Sequence, residues 1–169
     1  YHALGKEFAK AFLDAQDGNT AAAASVFRKM AQSGGDDIVL YEAGLAAHRL
    51  GNRRESESLL RRARGANPGN PLVPMALVDL LLEEGRLEES IGLLLQMIEA
   101  GQMREQASIL LGDIRAHQGD ETTALDLYTP LLKSALAKEA ASRIAAILEK
   151  QNRLQEAAAV RKQYLKGCC

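Results

Sequence analysis

Between residues 37 and 70, apolar and small residues recur at helical spacing in two runs hinged on a glycine. Leu40, Ala43, Gly44 and Ala47 fall at i, i+3, i+4 and i+7, one face of a helix. After Gly51, Ser56, Leu59, Leu60 and Ala63 repeat that spacing, so the stretch predicts two antiparallel helices. Gly44 and Ser56 are small enough to let the two backbones come close. The run Asn67-Pro68-Gly69-Asn70-Pro71 then stops the second helix and starts another, with Asn70 as N-cap and Pro71 at the first helical position.

This unit recurs. Gly18, Gly51, Gly85 and Gly119 each separate two apolar-periodic stretches and lie 33, 34 and 34 residues apart. A further step of 33 residues lands on Asn152, the other residue type that tolerates a left-handed helix end. The period predicts units at residues 3–36, 37–70, 71–104, 105–137 and 138–169, forming a single repeat domain.

The period, the small residue in the first helix and a small-x3-large step in the second helix of the unit resemble the tetratricopeptide repeat (TPR). Ala23-x3-Phe27 and Ala124-x3-Tyr128 match that step closely, and Ser56-x3-Leu60 and Ser90-x3-Leu94 match it more loosely. Leu111-Gly112 reproduces the first-helix Leu-Gly pair, Ala43-Gly44 nearly so, and Pro68 matches the closing proline. No tryptophan occurs. The resemblance implies an all-α fold, a right-handed α-solenoid of about five helix–turn–helix repeats, or ten antiparallel helices.

Departures from the pattern carry expectations of their own. The opening helix, with Leu4, Phe8, Ala11, Phe12 and Ala15, runs about one residue out of phase. Val78 stands where a small residue is usual, which spaces the third pair more widely. Pro130 removes an amide donor inside the fourth unit's second helix and predicts a kink or an early end. Arg161 takes a large apolar site in the fifth unit, so the last helix either caps the array with Arg161, Lys162 and Lys166 or meets a partner.

A second stripe lies one residue from the core stripe on the first helices: Tyr41, Leu45 and His48, then Met75, Asp79 and Leu82. It continues with Ile109, Asp113 and Ala116, and with Ser142, Ala146 and Glu149. A helix apolar on two stripes has two contacts to make. The resemblance implies that this second stripe lines a concave groove holding an extended or helical peptide. The alternative is that Tyr41, Met75 and Ile109 simply pack against the next repeat. Read as a groove, apolar Tyr41, Leu45, Met75, Leu82 and Ile109 beside acidic Asp79, Glu83 and Asp113 complement a protein or peptide with apolar anchors and some basic character. TPR domains that hold a chaperone's terminal carboxylate use a Lys/Asn clamp, and Asp79 and Asp113 stand against such a ligand.

Composition changes this picture only by exclusion. Of 169 residues, 47% are hydrophobic and only 4% aromatic, a core of alanine and leucine suited to closely packed helices. The net charge of −1 supplies no field toward nucleic acid or anionic membrane, and the apolar runs are too short to span a bilayer. His2, His48 and His117 have no metal-ligand spacing, and no phosphate loop or catalytic constellation appears, so neither enzyme activity nor a cofactor or metal is expected. Cys168 and Cys169 are adjacent and read as an unstructured end. The chain opens at Tyr1, so a missing signal peptide says nothing of compartment, cytoplasmic or periplasmic.

Arg53, Arg54, Arg61, Arg62 and Arg64 crowd the second helix of the second unit and read as a solvated outer face, with Glu57 and Arg61 as an i, i+4 pair. A reader of single-stranded nucleic acid would need stacking aromatics in the groove, where Tyr41 stands alone. Leu95 is predicted on an outer face, where a patch would support a homo-oligomer, the alternative being buried packing against the kinked fourth unit. The sequence therefore points to a non-catalytic protein–protein interaction scaffold within a bacterial multiprotein assembly, with a self-associating segment of a longer array as the alternative.

Overall fold

The turn residues do what their spacing predicts. Gly18, Gly51, Gly85 and Gly119 have φ of 88°, 76°, 72° and 83°, and Asn152 has 60°. Each ends a helix in the left-handed conformation that a side chain disfavours. At all five, the next residue's amide reaches back five positions to a helix carbonyl, as in Asn52 N to Ala47 O at 2.9 Å and Arg86 N to Leu81 O at 2.8 Å. The same closure recurs at Asn19, Asp120 and Arg153, so one hydrogen-bond scheme reverses the chain each time.

The computed structural model describes residues 4–165. Within them lie ten α-helices: α1 (Gly5–Gln16), α2 (Thr20–Ser33), α3 (Asp37–Arg49), α4 (Arg53–Ala66), α5 (Leu72–Glu83), α6 (Leu87–Glu99), α7 (Arg104–His117), α8 (Glu121–Tyr128), α9 (Ala137–Lys150) and α10 (Leu154–Tyr164). No strand occurs among the described residues, and the fold class is the all-α repeat array. His2, Lys166, Gly167, Cys168 and Cys169 lie outside the described residues.

Several local expectations resolve at this level. Asp36 caps α3, its carboxylate accepting from Ile38 N (2.9 Å) and Val39 N (3.3 Å). Asn70 accepts from Leu72 N at 3.1 Å, although α5 starts at Leu72 rather than at Pro71. Pro130 ends α8 early: the helix stops at Tyr128 and the chain tightens into a 3₁₀ helix over Thr129–Lys133.

Two compact units divide the chain, one up to Leu93 and one from Leu94. The first is built on Phe8, Phe27, Leu40 and Leu59, packed among small residues such as Ala23, Ala43 and Ala63. The second is built on Tyr128, Leu131, Ile144 and Leu148 around Ala124, Ala140 and Ala145. In that unit Arg161 forms a paired ion contact with Glu149 (2.9 and 3.0 Å), closing α10 onto α9 where a large apolar residue would otherwise sit.

Ion pairs one repeat apart staple the first unit. Arg28 pairs with Glu55 through two hydrogen bonds of 2.6 and 2.8 Å. Glu57 accepts from Arg86 (2.8 and 2.9 Å) and from Arg61 (2.7 Å), and Arg86 also holds Glu84 and Glu89. Arg86 foremost, with Arg61, keeps the Glu57 carboxyl at about 2, well under its ordinary 4.5. A carboxyl depressed on folding contributes stability that is complete above pH 4.5 and is lost as pH falls toward 2. Arg86→Met is therefore expected to flatten the loss of stability over that window. Urea unfolding of both proteins at stepped pH checks this, and parallel curves would show the network to be inert.

Candidate functional site

The second stripe of the first unit lines a real cavity. Tyr41, Leu45 and His48 from α3 face Met75, Asp79 and Leu82 from α5 across about 430 Å³ of space, with Glu83 at its edge. All six predicted residues line it together. Leu60 and Ser56 of α4, with Leu72 and Ala76 of α5, complete the walls, and these four were not read as site residues from the sequence. Leu60 and Ser56 reach the cavity because α3 and α4 touch: a Cβ on Gly44 would lie 2.9 Å from Leu60 Cγ.

The cavity's polar groups are unevenly satisfied. His48 Nε2 lies 3.2 Å from Glu83 Oε1. His48 Nδ1 and the hydroxyl of Ser56 are buried without a hydrogen-bond partner, and Ser56 is 0% exposed. No arginine or lysine pairs with Asp79 among the described residues. Although its side chain reaches solvent, the protein mass around it, then the Glu83 carboxylate, raise its carboxyl above the ordinary carboxylate range, with His48 opposing. A carboxyl raised on folding lowers stability at neutral pH, and the penalty fades as pH falls through the raised value. Asp79→Asn is thus expected to stabilise the protein at pH 7 and to lose that advantage in acid. Thermal melts across pH check it; a destabilised variant at pH 7 would contradict the reading.

The stripe continues differently in the second unit. Ile109 is only 8% exposed and belongs to the core with Ala124, Tyr128 and Leu131, so here packing rather than an open groove wall describes it. Asp113 is not a free acid. Arg143 of α9 binds both its oxygens (Nε to Oδ1 2.6 Å, Nη2 to Oδ2 2.9 Å), and the Tyr128 hydroxyl donates to Oδ1 at 2.6 Å. Burial, and then Asp113, push the Tyr128 phenol far above its usual range. The charge assigned to the groove at Asp113 is consumed inside the fold. The available signal is the separation: 30 residues from Asp113 to Arg143 is close to one repeat, as is 29 from Glu57 to Arg86. In the fifth pair Ser142 and Ala146 are exposed, and Glu149 is held by Arg161.

The arginines of α4 are the wet face expected of them. Arg61 bridges Glu57 and Glu89, Arg62 donates to Ala31 O at 2.9 Å, and Arg53 and Arg54 are exposed. No group of His, Cys, Asp and Glu among the described residues could hold a metal ion, and no described helix is long and apolar enough to cross a membrane.

Stacked antiparallel helix pairs, reversed by one repeated turn and closed on small residues, define a helical-repeat protein. The tetratricopeptide repeat family model matches residues 47–114, from the end of the second helix pair's first helix into α7. Among solved structures, a MamA crystal structure superposes with a TM-score of 0.79 at 15% identity, over 92% of each chain. MamA 41-end from Desulfovibrio magneticus RS-1 gives 0.77 at 13%, over 96% of this chain and 95% of that one. PilF of Pseudomonas aeruginosa gives 0.79 at 17%, over 96% and 75%. Identities this low speak to the fold alone. No curated protein sequence matches the chain.

Proposed function

We propose that the face shared by α3 and α5 binds a peptide or partner helix that brings apolar anchors and basic character. The observation that carries this reading is the cavity itself: six side chains set one residue off the core stripe converge on it, and Asp79 stands there without a cation. A charge that folding disfavours and no internal group neutralises is the kind of feature a partner completes. The mechanism is presentation of a preformed surface, with no bond made or broken. Ile109 and Asp113 are left out of the site, since packing and pairing account for them. Self-association has less support, because Leu95 is exposed at 49% and single exposed leucines are ordinary surface.

The test compares wild type with a Tyr41→Ala/Met75→Ala/Asp79→Lys variant as baits in lysate of the source cell. Partners lost only with the variant support the groove; partners that all survive count against it.

A further inference from the structure

The cavity is short of hydrogen-bond donors. Asp79 and Glu83 lie at i and i+4 on α5 and bring two carboxylates to one face. His48 Nε2 lies 3.2 Å from Glu83 Oε1. His48 Nδ1 and the Ser56 hydroxyl are enclosed within the walls, so the polar groups open to an incoming side chain are the two carboxylates, Asp79 exposed and Glu83 49% exposed.

The complementary group is one that only donates. From this we infer that the α3–α5 cavity is a pocket for an arginine side chain of the bound partner, flanked in that partner by an aliphatic residue. The inference rests on the groove reading above. A guanidinium offers five N–H donors and no acceptor, in a planar fork that bridges two carboxylates at once. Its three-carbon stem suits the walls of Leu45, Leu60, Met75 and Leu82, and the Tyr41 ring borders the same space. The neighbouring aliphatic side chain has Leu72 to rest on, 47% exposed at the rim. Lysine fits less well: its ammonium is compact and strongly hydrated, and one point charge cannot engage diverging acceptors together. An acidic partner is repelled by both carboxylates.

The experiment selects a phage-displayed random dodecapeptide library on the full chain and synthesises the recovered peptides. Each arginine is replaced in turn by citrulline, its neutral isostere, and by lysine. Affinities are measured for wild type, Asp79→Asn and Ala76→Trp, the last filling the cavity without changing charge. Expected is an arginine beside leucine, isoleucine or methionine, with citrulline there weakening binding by about tenfold or more. Asp79→Asn should produce a similar loss with the parent peptide and little additional loss with the citrulline peptide, as coupled partners do. Peptides blocked by Ala76→Trp but indifferent to citrulline and to Asp79→Asn would overturn the arginine pocket and leave the groove standing. Peptides indifferent to Ala76→Trp, or no binding peptide at all, would overturn both. Asp79 is exposed, so Asp79→Asn, verified by unchanged helical circular dichroism, keeps the test decisive if Ala76→Trp disturbs the fold.

Discussion

Gly112→Val is expected to destabilise the protein by about 3 kcal/mol, toward the upper end for overpacking a closed core. A Cβ at this position on α7 would run into the Tyr128 ring, with Cζ only 2.7 Å away and Cε1 closer still. Tyr128 cannot swing aside, because it is 1% exposed and its hydroxyl is bonded to Asp113, which Arg143 grips from α9. The clash thus forces apart a helix pair or breaks the hydrogen bond from the Tyr128 hydroxyl to the Asp113 carboxylate. Tyr128→Leu in the same chain should relieve part of the loss, so the double variant should be less destabilised than the two single losses added together. Denaturant unfolding of the four proteins measures the coupling. Strict additivity would mean that the ring is not what excludes the side chain.

Phe27→Ala is expected to lower stability by about 4 kcal/mol, within the range for truncating a buried aromatic residue. Phe27 and Phe8 are both 0% exposed, with ring centroids 5.4 Å apart and planes tilted by 51°. The substitution loses apolar burial, leaves a cavity and removes a favourable ring contact. In a repeat array stability is nearly a sum of local terms, so the damage should stay near its source. Hydrogen exchange should show amides of α1 and α2 opening first, with those of α9 retaining their protection. Uniform loss along the chain would refute that locality.

Much of this architecture was legible because turns and small residues act locally. Gly51 and Asn152 announce a left-handed helix end by residue type, Pro130 announces a lost donor, and Gly44 announces a close approach. The site was half legible. A periodic stripe identifies Tyr41, Leu45, His48, Met75, Asp79 and Leu82, because the 3.6-residue period sets which side chains share a face. It does not identify what lies opposite each face. Ile109 follows the same stripe, yet it belongs to the second unit's core with Tyr128 and Leu131. Asp113 follows it and meets Arg143 from the next pair, a partner that only the stacking of repeats brings within reach. Ser56 was read as a small packing residue, which it is, and its unmatched hydroxyl beside the cavity belongs to three dimensions alone.

The central claim is that partners engage the α3–α5 face. Its most direct test is chemical-shift mapping of the isotopically labelled full chain during titration with a recovered binding peptide. The account predicts shifts concentrated at Leu45, His48, Met75 and Leu82, with Arg53, Arg61 and Glu89 unmoved. Shifts confined to those three outer residues, with the cavity signals unchanged at saturation, would contradict it.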